Sequence, residues 1–342
     1  MSTVLPRKLV RVGLWAVAIV LIGNPLADSL GVKYWQPIAY DSILPVYAYQ
    51  RRARPADVLL LGTSRTACLS PRLVEKELRA QTGREESVYS LAQLAVNLDA
   101  SWWMLRDSLA TNGTPGTVVV ELGPGSLNAN RRFHGELEWY GSTTDLLRLL
   151  PDLTDRTAVL SAVKGELRGW SSLMSSVLMP PRSRRSRERL AEVDRDGGLL
   201  VSTGRSLAER GSDERARMLR RETEEDRDQL WRRYAVGGST VKALEAIVDA
   251  CRDRGCRVVL YDPPVHPDYL DAMPPAMVED FAAFMSDFTT QHQLRFVDFN
   301  APEAHARLGL TDADFMDYTH LSTAGAERFT GDLVRCVVLD GR

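Results

Sequence analysis

The stretch VLLLGTSRTACLSP, residues 58–71, decides the fold. Four aliphatic residues stop at Gly62, small hydroxyl side chains follow, and Ser70-Pro71 opens the periodic run SPRLVEKELRAQ. A short, wholly apolar run closed by glycine and followed by a helix reads as a strand buried on both faces, as in a parallel sheet. Ser70 suits a helix N-cap and Pro71 the first helical position. The serine at the strand-to-helix junction, Ser64, has two readings. As a cap, Thr63 or Ser64 accepts a hydrogen bond from an orphan amide of the first turn. As a reactive group, Ser64 is a nucleophile held at the mouth of a site.

Working outward, the same alternation recurs. SVYSLA (87–92) and GTVVVELG (116–123) are further strand candidates, with a helix over residues 98–110 between them. After residue 239 come a helix in TVKALEAIVDACRDRG, a strand in CRVVLYDPP and a helix in AMVEDFAAFMSDFTTQH. A strand in LRFVDF and a last helix in LSTAGAERFTGDLVRCVV follow. Five strands alternating with helices predict a three-layer α/β/α sandwich with a central parallel sheet and right-handed crossovers. The expected boundaries are an α/β domain over 56–128 and 240–342, interrupted by a charged helical insertion or lid over 129–239. In that interruption fourteen of the twenty-three residues from Gly211 to Arg233 are charged, with mixed sign. Such mixing suits a solvated helix laced by i,i+4 pairs. The basic cluster at Arg182 to Arg189 reads as a solvated face, with anionic lipid or polysaccharide as the other reading.

The first residues raise the question of a membrane. Arg7, Lys8 and Arg11 precede the apolar stretch Val12 to Ile22, eleven residues where roughly 20 are needed to cross a bilayer. Extended over Leu9 to Leu30, with Arg11 snorkelling, the stretch reaches that length. The expectation is therefore a signal anchor over 1–30 and an aromatic juxtamembrane linker over 31–55. The main domain would then be extracytoplasmic on a bacterial inner membrane. A cleaved signal, with Ala27-Asp28-Ser29 as its small-x-small site, would release it instead. Forty-three Lys and Arg against forty-five Asp and Glu give a net charge of -2, which excludes an electrostatic footprint for nucleic acid. Cys68, Cys251, Cys256 and Cys336 lack metal-ligand spacing, and GTSRTA has neither a GxGxxG pattern nor a Walker lysine. No metal or cofactor is expected.

The chemistry concentrates at the two ends of the sheet pattern. A serine hydroxyl needs a base, and a neutral histidine serves if an acid on its other ring nitrogen fixes the tautomer. MDYTHLSTAG supplies Asp317 and His320 three residues apart before the last helix. Ser64, after the first strand, and this pair, after the last, can meet at the carboxyl edge of the sheet. Further candidates for substrate contact are Arg65, Asn97, Asp262 and His266. Glu121 reads as a site wall or a charge at the sheet edge.

On these residues the sequence resembles the SGNH (GDSL-type) hydrolases. GTSR at 62–65 is similar to their first block and DYTHLSTAG at 317–325 to their last. Together with the N-terminal segment, VLLLGTSRT, VYSLA and VVVELGPGSLN most resemble membrane-anchored members of bacterial envelopes, some of which partner multi-spanning membrane O-acyltransferases. The resemblance implies a serine esterase or O-acyltransferase acting on an acyl, especially acetyl, ester of an envelope carbohydrate or polymer. The catalytic residues would be Ser64, Asp317 and His320. It further implies an oxyanion hole made by the amides of Ser64 and Ala95 and the side chain of Asn128, with Ala95 standing where the family has glycine. The alternative is a catalytically weak or inactive scaffold of this fold in an envelope polysaccharide modification or export complex.

Overall fold

The computed structural model describes residues 44–94, 96–130, 184–201 and 204–339. Helix α1 (Leu44–Gln50) leads into strand β1 (Val58–Leu61), a 3-10 turn (Thr66–Cys68) and helix α2 (Pro71–Thr82). Strand β2 (Val88–Ser90), helix α3 (Leu98–Asn112) and strand β3 (Thr117–Glu121) follow, and then a 3-10 turn at Pro124–Leu127. Helix α4 (Arg184–Asp196) and helix α5 (Ser212–Asp226) belong to the charged segment, and α5 passes directly into a π-helical turn at Arg227–Trp231. The remainder is helix α6 (Gly238–Arg252), strand β4 (Arg257–Asp262), helices α7 (Pro267–Ala272) and α8 (Pro275–His292), strand β5 (Arg295–Asp298), helix α9 (Pro302–Leu308) and helix α10 (Thr323–Leu333).

The five strands form one sheet in the order β2-β1-β3-β4-β5, every neighbouring pair parallel. Side chains alternate between its faces. Leu59, Leu61, Val118, Val120 and Leu260 join α1, α3, α6 and α8 in one core cluster. Val58, Leu60, Val119, Val259 and Tyr261 join α2, α7 and α10 in the other. Burial on both faces is why β1 and β3 read as continuous apolar runs rather than alternating ones. The order reverses direction between β1 and β3, and in open parallel sheets the ligand crevice lies outside the carboxyl ends at that point. Residues 197–201 cover the free side of β2, with Ser90 N–H donating to Gly197 O at 2.8 Å, which blunts an exposed sheet edge.

Three expectations change. Among the described residues no helix is long and apolar enough to cross a membrane, and residues 1–30, where the anchor was expected, lie outside them. The single-pass anchor, the inner-membrane placement and the multi-spanning O-acyltransferase partner therefore drop out of the reading. The aromatic stretch expected to sit at a membrane interface is, from Leu44 onward, a helix in the core. Tyr49 is fully buried and its hydroxyl accepts from Ala56 N–H, while Tyr89 Oη donates to Pro45 O. Finally, α2 starts at Ser70-Pro71 as expected, but the Ser70 side chain makes no capping hydrogen bond, and a 3-10 turn at Thr66–Cys68 separates β1 from that helix.

Asn128 and Val236 form an antiparallel bridge, and Ala129 N–H donates to Ala235 O at 2.8 Å. The chain thus leaves the sheet layer and returns to it at neighbouring points. All four cysteines are free thiols.

Candidate active site

The turn carrying Ser64 is assembled on Glu121. Leu61 pairs with Val120 in register, so Gly62 comes level with Glu121 at the carboxyl ends of β1 and β3. The buried Glu121 carboxylate accepts five hydrogen bonds: Thr63 N (2.8 Å), Thr63 Oγ1 (2.6 Å), Arg65 Nε (3.0 Å), Thr66 N (3.0 Å) and Thr66 Oγ1 (2.5 Å). Burial alone would push this carboxyl up, but the Arg65 charge and the Thr63 and Thr66 donors outweigh it and hold it below the usual range. Gly62 is required, since a Cβ there would run into Thr66 Oγ1 and Glu121 Oε2. Every neighbour of Ser64 in this turn is therefore tied to one buried anion, and Ser64 is the residue left facing outward.

On the far side, residues 314–322 close on themselves. Phe315 and Leu321 form a bridge, Met316 N–H donates to His320 O at 2.9 Å, and Ser322 N–H to Asp314 O at 2.8 Å. Gly325 lets α10 approach this loop, because a Cβ there would overlap Asp314 O. Ser322 caps α10 by accepting from Gly325 N–H. Within the loop Asp317 Oδ1 accepts from the backbone amides of Thr319 (2.9 Å) and His320 (2.8 Å), and His320 Nδ1 lies 2.9 Å from both carboxylate oxygens. His320 Nε2 is 2.6 Å from Ser64 Oγ. A carboxylate only accepts, so Nδ1 carries the proton toward Asp317 and Nε2 is free to accept from the Ser64 hydroxyl. Burial pulls the His320 pKa down, but the hydrogen bond and charge of Asp317 outweigh it and raise it above 6.5. Asp317 is held low in turn: burial opposes ionisation, and the His320 hydrogen bond and charge overcome it.

Ser64, Thr319 and His320 line a cavity of about 220 Å³ whose other walls include Arg65, Val96, Gly125, Gln229, Trp231 and Met273. Tyr269 and Asp226 also line it, with the Tyr269 hydroxyl donating to Asp226 and its ring tilted against Trp231 at 5.6 Å. Among the hydrogen bonds of the described residues none engages the Ser64 amide, which is left as a donor beside the hydroxyl.

The remaining expected site residues are placed as follows. Arg65 is clamped between Glu121 and Asp262, its Nη1 3.2 Å from Asp262 Oδ1. Burial pushes the Asp262 carboxyl up to about 7 in spite of Arg65, so Glu121 is the principal counter-ion of the Arg65 guanidinium. Asn128 corrects the expectation of an oxyanion donor. Its Nδ2 donates to Leu230 O (2.6 Å) and Arg232 O (3.4 Å), and its Oδ1 accepts from Asn130 N and Ala235 N, so the amide holds the charged segment to the sheet layer. Asn97 is the N-cap of α3, accepting from Ala100 N–H at 3.0 Å. His266 caps α7 through Nδ1, faces Asp312 through Nε2 at 3.0 Å and packs edge-on against Phe315 and Tyr318, away from the cavity walls. These two are helix starts, and each stood before a readable first turn: Leu98-Asp99 after Asn97, Pro267 after His266. Ala95 lies outside the described residues.

Sequence reasoning missed the role of Glu121 and the cavity roof of Asp226, Gln229 and Trp231. A lone carboxylate closing a Val-rich buried strand beside the Gly62 turn was the available signal for the first. No local signal marked the second.

No protein-family model matches the chain, and no curated protein matches it. Among solved structures it is similar to the crystal structure of TesA, at 14% identity and a TM-score of 0.39 over 82% of this chain and 96% of that one. It is also similar to the lipase/acylhydrolase from Enterococcus faecalis, at 11% identity and a TM-score of 0.37 over the same shares. These are distant likenesses in fold, and the chemistry of the site is argued from its own geometry.

Proposed function

We propose that the protein is an SGNH-type serine esterase or O-acyltransferase acting on an acyl ester of a carbohydrate or other polymer. Ser64 is the nucleophile, His320 its base, and Asp317 the group that orients and charge-balances the imidazole. The single observation carrying this reading is the unbroken series Ser64 Oγ, His320 Nε2, His320 Nδ1, Asp317, at 2.6 and 2.9 Å. In it, His320 takes the Ser64 proton as Oγ attacks the acyl carbonyl. The same imidazole then protonates the leaving alkoxide, leaving an acyl group on Ser64 that passes to water or to an acceptor hydroxyl. The Ser64 amide is the donor available to the oxyanion. Losing a second good donor costs about 3 to 4 kcal/mol of transition-state stabilisation. With Asn128 engaged elsewhere, a modest rate is expected.

The walls support a hydroxyl-rich substrate, since Trp231 and Tyr269 present rings beside the polar Arg65, Asp226 and Gln229. We assign residues 129–239 the role of a lid, on the ground that α5 and the following turn supply this roof. The decisive experiment treats the full chain with a fluorophosphonate probe and with p-nitrophenyl acetate. Labelling of Ser64 and release of nitrophenol, both lost in Ser64→Ala, are the expected result. A chain that neither labels nor hydrolyses, whatever the ester offered, belongs to the scaffold reading, which the diversion of Asn128 favours.

A further inference from the structure

Helix α5 brings a third ionisable group to the His320 loop. Tyr318, between Asp317 and His320, donates its backbone N–H to Glu222 Oε2 at 3.2 Å. Glu222 is half-buried, whereas Glu224 and Glu225 on the same helix are exposed. Burial first, and then the Asp317 charge, push its carboxyl up to about 7, against the Tyr318 amide, His320 and Arg221. The groups around it are Asp317, Tyr318 and His320 from the loop, Arg221 from its own helix, and Tyr269 from α7. Around His320 the charged groups are Asp317, Arg65 and Glu222, the first and last favouring the imidazolium and Arg65 opposing it.

We propose that Glu222 is a positioning residue that fixes the Tyr318 amide and, as a second carboxylate against the His320 loop, raises further the pH above which His320 accepts the Ser64 proton. The inference rests on the roles assigned above to Ser64 and His320. Asp317 stays ionised throughout the neutral range because its pKa is lowered, so it supplies a constant field. Glu222 changes charge within that range. Below its pKa it is a neutral acid whose free oxygen still accepts from Tyr318. Above its pKa it is an anion that tightens the proton on His320 and delays the appearance of the free base. Two groups coupled in this way titrate as a pair, in steps that belong to neither alone. No bond to substrate is involved, and what moves is a protonation equilibrium.

The test compares the full-length wild type with Glu222→Gln, which keeps a carbonyl acceptor for Tyr318 and removes the charge. The first readout is the NMR titration of the His320 imidazole, assigned among the five histidines by its absence in His320→Asn. The wild type should titrate broadly, ending above 6.5. Glu222→Gln should give a single-proton curve displaced to lower pH by about half to one unit, the size of one screened charge at short range. The second readout is the pH dependence of fluorophosphonate labelling, whose acid limb should move with the NMR midpoint. A merely structural brace would leave both midpoints unmoved, so coincident wild-type and Glu222→Gln curves overturn the inference. Absence of labelling in the wild type refutes the nucleophile assignment, and the imidazole titration then still decides the coupling. Glu222→Ala, which also removes the acceptor, should slow labelling at about pH 9, where the imidazole is neutral in every variant. An unchanged rate there overturns the positioning role.

Discussion

The two walls of the cavity are built by opposite means. The Ser64 turn hangs on one buried carboxylate that gathers backbone amides, hydroxyls and a guanidinium. The roof, α5 and the turn after it, is a mostly exposed, charge-rich helix that packs a few apolar residues, Trp231 foremost, on the core and otherwise touches the rest through scattered polar contacts. These are Glu222 with Tyr318, Asp226 with Tyr269, Arg215 with Asp312, and Asn128 with the carbonyls of Leu230 and Arg232. On the roles proposed above, the group that must be held to a fraction of an ångström sits at the edge of the sheet, and the surface facing an incoming substrate sits on the helix. Changes on the first wall should therefore abolish chemistry, and changes on the second should redirect it.

Substitutions at the two walls can break this contrast. Ser64→Ala should lower ester hydrolysis by at least about a thousandfold, with far-UV circular dichroism unchanged. Asp317→Asn should cost about a hundred- to ten-thousandfold, through loss of the correct tautomer. It should also move the acid limb of the rate to lower pH, because Asp317 is what raises His320; a limb that stays in place contradicts the assigned geometry. Glu121→Ala, which strands Arg65 and four other donors, should destabilise the fold by about 3 to 5 kcal/mol in urea unfolding. Asn128→Ala should cost about 1 kcal/mol of stability, since it removes the buried amide that ties the part-buried Leu230 carbonyl to the sheet layer. The same variant should change turnover of a small ester by less than about threefold, where a true oxyanion donor would cost about a hundredfold or more. Least of all, Arg205→Ala, which removes the exposed arginine of a pair with Glu214, should leave the unfolding midpoint unmoved.

The sheet was legible because its information is local. VLLL and TVVVE are strands whose apolar runs need both faces covered, and the amphipathic runs after residues 70, 239 and 275 supply the cover. Ser64, Asp317 and His320 were legible as residue types in order, but the 2.6 Å contact between the first and last depends on the whole sheet. Asn128, Asn97 and His266 were misplaced for one reason. Polar side chains serve caps and braces as readily as sites, and the choice depends on which distant carbonyl or amide lies within reach. Asn128 shows this most clearly, since its partners stand more than a hundred positions later. The charged segment was legible as an insertion or lid, but not which of its residues line the cavity, because a helix of such mixed charge shows only a weak apolar face.

The hydrogen bond between Ser64 and His320 joins positions 256 apart. During synthesis the strand and turn that bear the hydroxyl emerge first, and the imidazole neighbour follows 256 residues later. At about 5 to 20 residues per second, at least ten seconds or so separate the two. On the roles proposed above, a nascent chain that stops short of His320 carries a serine with no base beside it, and the arrangement gains its reactivity only once that residue has been made and folded into place.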